Sequence, residues 1–73
     1  MNELVKIIKS KARKEFDNEE NLIENGVLDS IDFIYVINEI ENKFGIAIDF
    51  LEIDPSQITS VNGLWRIIKN GLE

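Results

Sequence analysis

Ser30 is the residue whose type and surroundings most clearly permit chemistry. It stands between Asp29 and Ile31 at the predicted start of a helix. Serine at such a position most often caps the helix, but Asp29 can accept the free amide hydrogens of the first turn instead. The Ser30 hydroxyl is then left free at the positive end of the helix, where a phosphodiester is stabilised. These residues predict a hydroxyl suited to covalent modification.

The chain lacks the side chains that would activate this serine as a nucleophile. It contains no histidine and no cysteine, which removes the commonest general base, thiolate chemistry and a Cys/His zinc site. The nearest lysine in sequence, Lys43, lies at the far end of the same predicted helix. Asp29 and Asp32 have the residue type of an acid/base pair, but both belong to the helix start. We therefore expect no enzymatic activity, and modification of Ser30 by another enzyme.

Charge is distributed unevenly along the 73 residues, whose formal net charge is -6. Residues 1–14 carry five bases and one acid, whereas residues 15–54 carry twelve acids and a single base. So acidic a middle repels nucleic acid, which proteins bind by neutralising phosphates with Lys and Arg. It favours the encounter with a basic protein partner, although an acidic surface also serves solubility alone.

The sequence predicts neither a metal site nor a membrane segment. The acidic stretch 17–21 lacks the Asp-x-Asx-x-Asx-Gly spacing of a calcium loop. No apolar run approaches the roughly 20 residues that span a bilayer. Residues 1–14 also lack the unbroken apolar region and the cleavage site of a signal peptide. We expect residues 1–73 to form one soluble, cytoplasmic domain.

The segment after the candidate serine satisfies two patterns. Residues 33–37 are rich in aromatic and β-branched side chains, which favours a strand, and an upstream Asn-Gly pair would suit a hairpin. Over residues 33–44, however, the apolar side chains follow helical spacing. Asp29 suits the N-cap and Gly45 suits the C-cap of such a helix. We predict a helix over residues 30–44.

Three further helical segments are predicted. Apolar spacing indicates an amphipathic helix over residues 3–15, followed by a long acidic connection over residues 17–29. An Asp-Pro pair predicts a short helical turn near residues 55–58. Ser60 can cap a last helix, which Gly71 would end. The predicted fold class is therefore all-α, with three longer helices, one short helix and a long first loop.

Two apolar residues fall outside the apolar face of the predicted second helix. A step of about 100° per residue puts Ile31 and Tyr35 on the side opposite the core. They are four residues apart, so they are neighbours on the helix surface. Two exposed apolar side chains are often incidental. Their place beside Ser30 favours a docking surface.

Residues 26–32, Gly-Val-Leu-Asp-Ser-Ile-Asp, resemble the Asp-Ser-Leu signature of acyl carrier and peptidyl carrier proteins. The similarity continues in residues 42–46, Asn-Lys-Phe-Gly-Ile, and in residues 58–61, Ile-Thr-Ser-Val. It spans essentially the whole chain. The resemblance implies a four-helix bundle of the acyl carrier type and a carrier function without catalysis.

The same resemblance implies that Ser30 receives 4'-phosphopantetheine covalently from coenzyme A, in a step carried out by a magnesium-dependent phosphopantetheinyl transferase. The thiol of this arm holds acyl or aminoacyl groups as thioesters. Asp29 supports the helix start and assists the transferase complex. In such carriers the second helix faces partner enzymes, and the residues at these positions here are Ile31, Asp32, Ile34, Tyr35, Asn38, Glu39 and Glu41.

The residues before the serine bear on the type of carrier. Residues 24–30, Glu-Asn-Gly-Val-Leu-Asp-Ser, are closer to D-alanyl, nonribosomal peptide and polyketide carriers than to the Gly-Ala-Asp-Ser-Leu-Asp of fatty-acid carriers. This favours a specialised stand-alone carrier, while fatty-acid, polyketide, nonribosomal peptide and D-alanyl transfer pathways all stay open.

The resemblance also implies which partners the chain meets. They are the transferase, acyl- or amino-acid-activating enzymes, and synthases or transferases with basic docking surfaces, but not nucleic acid or membranes. We expect a monomer. The alternative is an acidic helical adaptor of the same fold, which binds a partner through Ile31 and Tyr35 without a prosthetic group.

Overall fold

The computed structural model describes residues 2–49 and 53–72, which form helices and connecting loops. The α-helices are α1 (Asn2–Lys9), α2 (Ser30–Phe44) and α3 (Val61–Leu72). A single turn of 3₁₀ helix, Pro55–Gln57, precedes α3 and corresponds to the short helix predicted near residues 55–58. No strand occurs within the described ranges. The all-helical class is confirmed, and three α-helices are observed.

One hydrophobic core joins the three helices and the loops between them. The sequence places apolar residues at helical spacing on each helix, so each helix presents one face to this core. The long first loop contributes three fully buried side chains of its own. The buried residues are Leu4, Ile8, Leu22, Val27, Leu28, Val36, Ile37, Ile40, Ile48, Ile58, Val61, Leu64 and Ile68.

Helix α2 begins and ends where local sequence signals predict. Asp29 has an extended backbone and its side chain accepts a hydrogen bond from the Asp32 N–H. At the other end, Gly45 adopts a left-handed backbone and its N–H donates to the Glu41 carbonyl. The helix therefore spans the predicted residues 30–44, and the strand alternative for this segment is wrong.

Helix α1 ends at Lys9, so the prediction of a helix over residues 3–15 is wrong in its second half. The Ser10 hydroxyl donates to the Ile7 carbonyl at 2.6 Å, which competes with continued helical bonding. The Arg13 N–H donates to the Val27 carbonyl at 2.9 Å. This long-range bond holds the chain on the first loop, so residues 11–13 leave the helix axis.

Helix α3 begins as predicted but ends differently. The Ser60 hydroxyl accepts the Gly63 N–H at 3.0 Å, which confirms the cap. A Cβ atom at Gly63 would lie 1.8 Å from the Gln57 carbonyl oxygen, so only glycine lets the 3₁₀ turn approach α3 this closely. Gly71 was predicted to end the helix, yet it lies within α3 and a Cβ there would lie 3.0 Å from Ile46. Its lack of a side chain serves this close packing.

Within the described ranges, none of the helices has the length and apolar character needed to cross a membrane. Helical spacing in the sequence also predicts that Leu72 belongs to the apolar face of the last helix, but its side chain lies outside the described part of the structure. Trp65 is half-buried on α3, and its ring meets that of Phe44 edge-on at 6.5 Å between centroids. This aromatic pair joins α2 to α3.

Candidate functional site

The first loop carries the candidate serine on a backbone fixed by hydrogen bonds. The Leu22 N–H donates to the Thr59 carbonyl at 2.7 Å, which ties the loop to the segment before α3. The Val27 and Leu28 N–H groups both donate to the Leu22 carbonyl, at 2.9 and 3.0 Å. Because the side chains of Leu22, Val27 and Leu28 are buried, the residues just before Asp29 are anchored in the core.

Asp29 is the N-cap of α2. Its Oδ1 accepts the Asp32 N–H at 2.7 Å, and its carbonyl accepts the Phe33 N–H at 2.9 Å. The hydrogen bond from the Asp32 N–H lowers the pKa of Asp29 below its ordinary value, with a further contribution from the charge of Arg13. Asp29 is therefore held as a carboxylate at the start of the helix.

Ser30 is the first residue of α2, and its side chain is exposed. Within residues 2–49 and 53–72 no hydrogen bond engages its hydroxyl. This agrees with the expectation that Asp29, rather than Ser30, performs the capping. A hydroxyl that is exposed, unbonded and located at a helix N-terminus is open to a modifying enzyme.

Arg13 is a member of the site that sequence reasoning missed. Its Nη2 lies 2.6 Å from Asp29 Oδ2 and 3.3 Å from Asp32 Oδ2, so one guanidinium bridges the two carboxylates beside Ser30. The excess of bases in residues 1–14 was visible in the sequence. The pairing of Arg13 with Asp29 and Asp32 was not visible there, because it depends on where the first loop places Arg13.

The outer face of α2 exposes Ile31 and Tyr35, as their spacing predicted, and it also exposes Ile34. Ile31 is 78% exposed, Ile34 is 58% exposed and Tyr35 is 43% exposed. The Lys11 ammonium lies 4.2 Å from the centre of the Tyr35 ring, in a cation–π contact. Exposed apolar residues grouped on one helix face are typical of an interaction surface.

The remaining predicted partner-facing residues differ in their surroundings. Asn38 is exposed, whereas Glu39 is half-buried. Glu41 Oε2 accepts the Ile48 N–H at 2.9 Å, so this carboxylate stabilises the loop after α2. Asp32 is half-buried and bound to Arg13. The structure thus places Ile31 and Asp32 in the first turn of α2 with Ser30, and Tyr35 one turn beyond Ile31. The Glu41 carboxylate is bound by the loop after α2.

The groups nearest to Ser30 are already engaged in contacts of their own. The two carboxylates nearest to Ser30 in sequence are engaged with Arg13 and with the first turn of α2. In the described ranges, no group of three or more acidic residues is arranged to hold a metal ion. The arrangement supplies an accessible oxygen, a helix start that favours negative charge and a neighbouring guanidinium.

Comparison with known proteins identifies the family. A search among curated proteins found no match. The family model described as a phosphopantetheine attachment site matches residues 2–67, which is most of the chain. Proteins with this domain carry 4'-phosphopantetheine covalently and act as carriers rather than as catalysts. The chain therefore belongs to the acyl carrier protein family of phosphopantetheine-binding domains, and it is a phosphopantetheine-carrying carrier protein.

Proposed function

We propose that Ser30 is the residue that carries 4'-phosphopantetheine. The observation that supports this most directly is the state of its hydroxyl, which is exposed and has no hydrogen bond within the described ranges. At a helix start, the hydroxyl of a serine usually accepts a capping hydrogen bond. Here Asp29 accepts the Asp32 N–H, and the Ser30 oxygen is left for another use.

The residues around Ser30 suit a phosphodiester with a long flexible arm. The N-terminus of α2 provides partial positive charge close to the serine, which stabilises a phosphate group there. Ile31 is 78% exposed, so the surroundings leave room for an arm that extends into solvent. When attached, the arm supplies a terminal thiol that holds acyl or aminoacyl groups as thioesters.

The other residues of the site have supporting tasks in this proposal. Asp29 orders the first turn of α2 and so fixes the direction in which the Ser30 hydroxyl leaves the protein. Ile31, Ile34 and Tyr35 form the apolar part of the surface that partner enzymes contact. Asn38 and Glu39 extend this surface along α2, whereas Glu41 has a structural task toward Ile48.

The finer features of the function belong to the same proposal. The 3₁₀ turn Pro55–Gln57 takes the place of the short helix in a four-helix bundle of acyl carrier type. The chain acts as a single, monomeric carrier domain in the cytoplasm. Val-Leu before Asp-Ser favours a specialised carrier in polyketide, nonribosomal peptide or D-alanyl transfer over fatty-acid synthesis. Its partners are a phosphopantetheinyl transferase and activating enzymes, synthases or transferases with basic docking surfaces.

The direct test is modification in vitro. Incubation of the chain with coenzyme A, magnesium and a phosphopantetheinyl transferase of broad specificity should add one phosphopantetheine, detected by intact mass. Ser30→Ala should abolish the addition. Ser56→Ala is a matched control, because Ser56 is also an exposed serine but lies on the 3₁₀ turn. A wild type that stays unmodified with several transferases would contradict the proposal.

The adaptor alternative rests on the exposed apolar residues of α2. It predicts that Ser30→Ala keeps full biological activity, while a polar residue at Ile31 or Tyr35 abolishes partner binding. The family match favours the carrier, because these domains carry the prosthetic group. Activity retained by Ser30→Ala in the host organism would favour the adaptor.

A further inference from the structure

Two cations from the segment after α1 lie on the outer face of α2. We call residues 11–13, Lys-Ala-Arg, the basic strap. The Lys11 ammonium lies 4.2 Å from the Tyr35 ring centre, and Arg13 bridges Asp29 and Asp32 at 2.6 and 3.3 Å. The basic strap thus contacts the aromatic ring of Tyr35 and the carboxylates of Asp29 and Asp32.

The basic strap is held to this surface by contacts that are individually weak. The Arg13 side chain is 60% exposed and that of Asp29 is 47% exposed, so solvent screens their ion pair. Lys9 and residues 12–16 also line an open groove of about 600 Å³, so the segment borders solvent. One anchor holds its backbone to the first loop, the bond from the Arg13 N–H to the Val27 carbonyl. The Lys11 and Arg13 side chains can therefore leave α2 without disturbing the buried core.

We propose that the basic strap is a built-in competitor for the docking surface of this carrier. A partner that uses basic side chains must displace Arg13 from Asp29 and Asp32, and Lys11 from Tyr35, before its own cations reach these carboxylates and this ring. This inference rests on the proposed function, since the partner in question is the phosphopantetheinyl transferase that acts at Ser30. The basic strap therefore weakens the docking of partners whose cations cannot replace Lys11 and Arg13.

The contacts of the basic strap also define the chemistry of the partner that fits. A guanidinium shared between two carboxylates is a directional arrangement, so an arginine of the partner is the natural replacement for Arg13. A cation or an apolar group replaces Lys11 over the Tyr35 ring. The acidic balance of residues 15–54 attracts such a basic partner from a distance.

The test compares Arg13→Gln with Lys14→Gln. Both variants remove one positive charge from neighbouring positions, but only Arg13 bridges Asp29 and Asp32. Releasing an exposed ion pair changes an equilibrium by roughly two- to fivefold. At low salt, Arg13→Gln should therefore lower the KM of the transferase for the carrier two- to fivefold relative to Lys14→Gln. This difference should disappear at high salt, where charge pairs are screened.

A purely structural role for Arg13 predicts the opposite sign. If Arg13 only orders the start of α2, Arg13→Gln raises the KM or lowers kcat relative to Lys14→Gln. Equal KM values in the two variants, or a higher KM in Arg13→Gln, would overturn the proposal. Circular dichroism establishes that both variants are folded.

A second measurement needs no prosthetic group. A hexa-arginine peptide serves as a probe of the carboxylates, and its affinity for each variant is measured by titration calorimetry. The basic strap predicts tighter binding to Arg13→Gln than to Lys14→Gln, and equal affinities would overturn it. If the wild type is never modified at Ser30, the proposed function fails, while the peptide titration still decides the role of the strap.

Discussion

Asp29 caps α2 and Ser30 presents a free hydroxyl, two roles that one serine could not fill at once. When a serine caps a helix, its hydroxyl oxygen accepts hydrogen bonds from the free amides of the first turn. Asp29 takes over that task through its bond to the Asp32 N–H, and the Ser30 oxygen stays accessible. The adjacency of Asp and Ser at this helix start thus has a physical reason that does not depend on catalysis.

The cap predicts a specific dependence of stability on pH. The pKa of Asp29 is lowered in the folded protein by the Asp32 N–H and by Arg13. Its stabilising contribution is therefore fully present above the unfolded-state pKa of about 3.9. It is lost as the pH falls through the lower folded-state pKa. Thermal unfolding midpoints measured from about pH 6 to pH 2 should fall on acidification.

Asp29→Asn separates this contribution from others. Asparagine is as good an N-cap as aspartate but does not titrate in this range. The thermal unfolding midpoint of the variant should fall less on acidification than that of the wild type. Some loss should remain, because the Ser56 N–H lowers the pKa of Asp54 in the same way. Identical acid profiles for the two proteins would show that the Asp29 cap is not the titrating element.

At the scale of elements, α2 was predictable because its boundaries depend on neighbouring residues. Asp29 and Gly45 are local signals for the start and the end of a helix, and the structure places both boundaries there. The end of α1 was not predictable in this way. It depends on the bond between the Arg13 N–H and the Val27 carbonyl, which joins residues fourteen positions apart. Helical spacing continues past Lys9, but this tertiary contact overrides it.

The first loop should matter for stability as much as a helix does. Leu22 is fully buried, and its backbone bonds to three other residues. Leu22→Ala should lower the free energy of unfolding by about 2–5 kcal/mol, measured by urea denaturation. Ile23→Ala is the matched control, because Ile23 is only half-buried and should cost less. Equal losses would mean that the loop is not anchored through Leu22.

The outer face of α2 should affect partners without affecting stability. Ile31 is 78% exposed, so Ile31→Ser should change the free energy of unfolding by less than about 0.5 kcal/mol. It should nevertheless raise the KM of the transferase for the carrier, because apolar contact area is lost. Asn42→Ala, at an exposed position near the other end of α2, is the control and should leave the KM unchanged. An unchanged KM in Ile31→Ser would exclude this face from docking.

At the scale of the whole molecule, charges that are separated along the sequence become paired in space. Residues 1–14 are basic and residues 15–54 are acidic, which suggested attraction to a basic partner. The fold places two of these bases, Lys11 and Arg13, directly on the acidic and aromatic groups of α2. The excess of acids was readable from composition. Composition could not show which acids are paired with a basic residue, because this pairing depends on the path of the first loop.

The core shows the same division between local and tertiary information. Helical spacing correctly identified the buried residues of α2, among them Val36, Ile37 and Ile40. The role of Gly71 was read from a local rule for helix ends, but Ile46 packs against it within α3. Ile46, twenty-five positions away in sequence, packs where a side chain at residue 71 would lie. No local sequence pattern predicts this contact.

The most direct test of the carrier function is the location of the prosthetic group. Trypsin cleaves after Lys14 and after Lys43, and the peptide between them contains Ser30 as its single serine and no threonine. After incubation with coenzyme A, magnesium and a transferase, tandem mass spectrometry should find one phosphopantetheine on this peptide, at Ser30. A modification found on any other peptide, or none with several transferases, would contradict the assignment of Ser30.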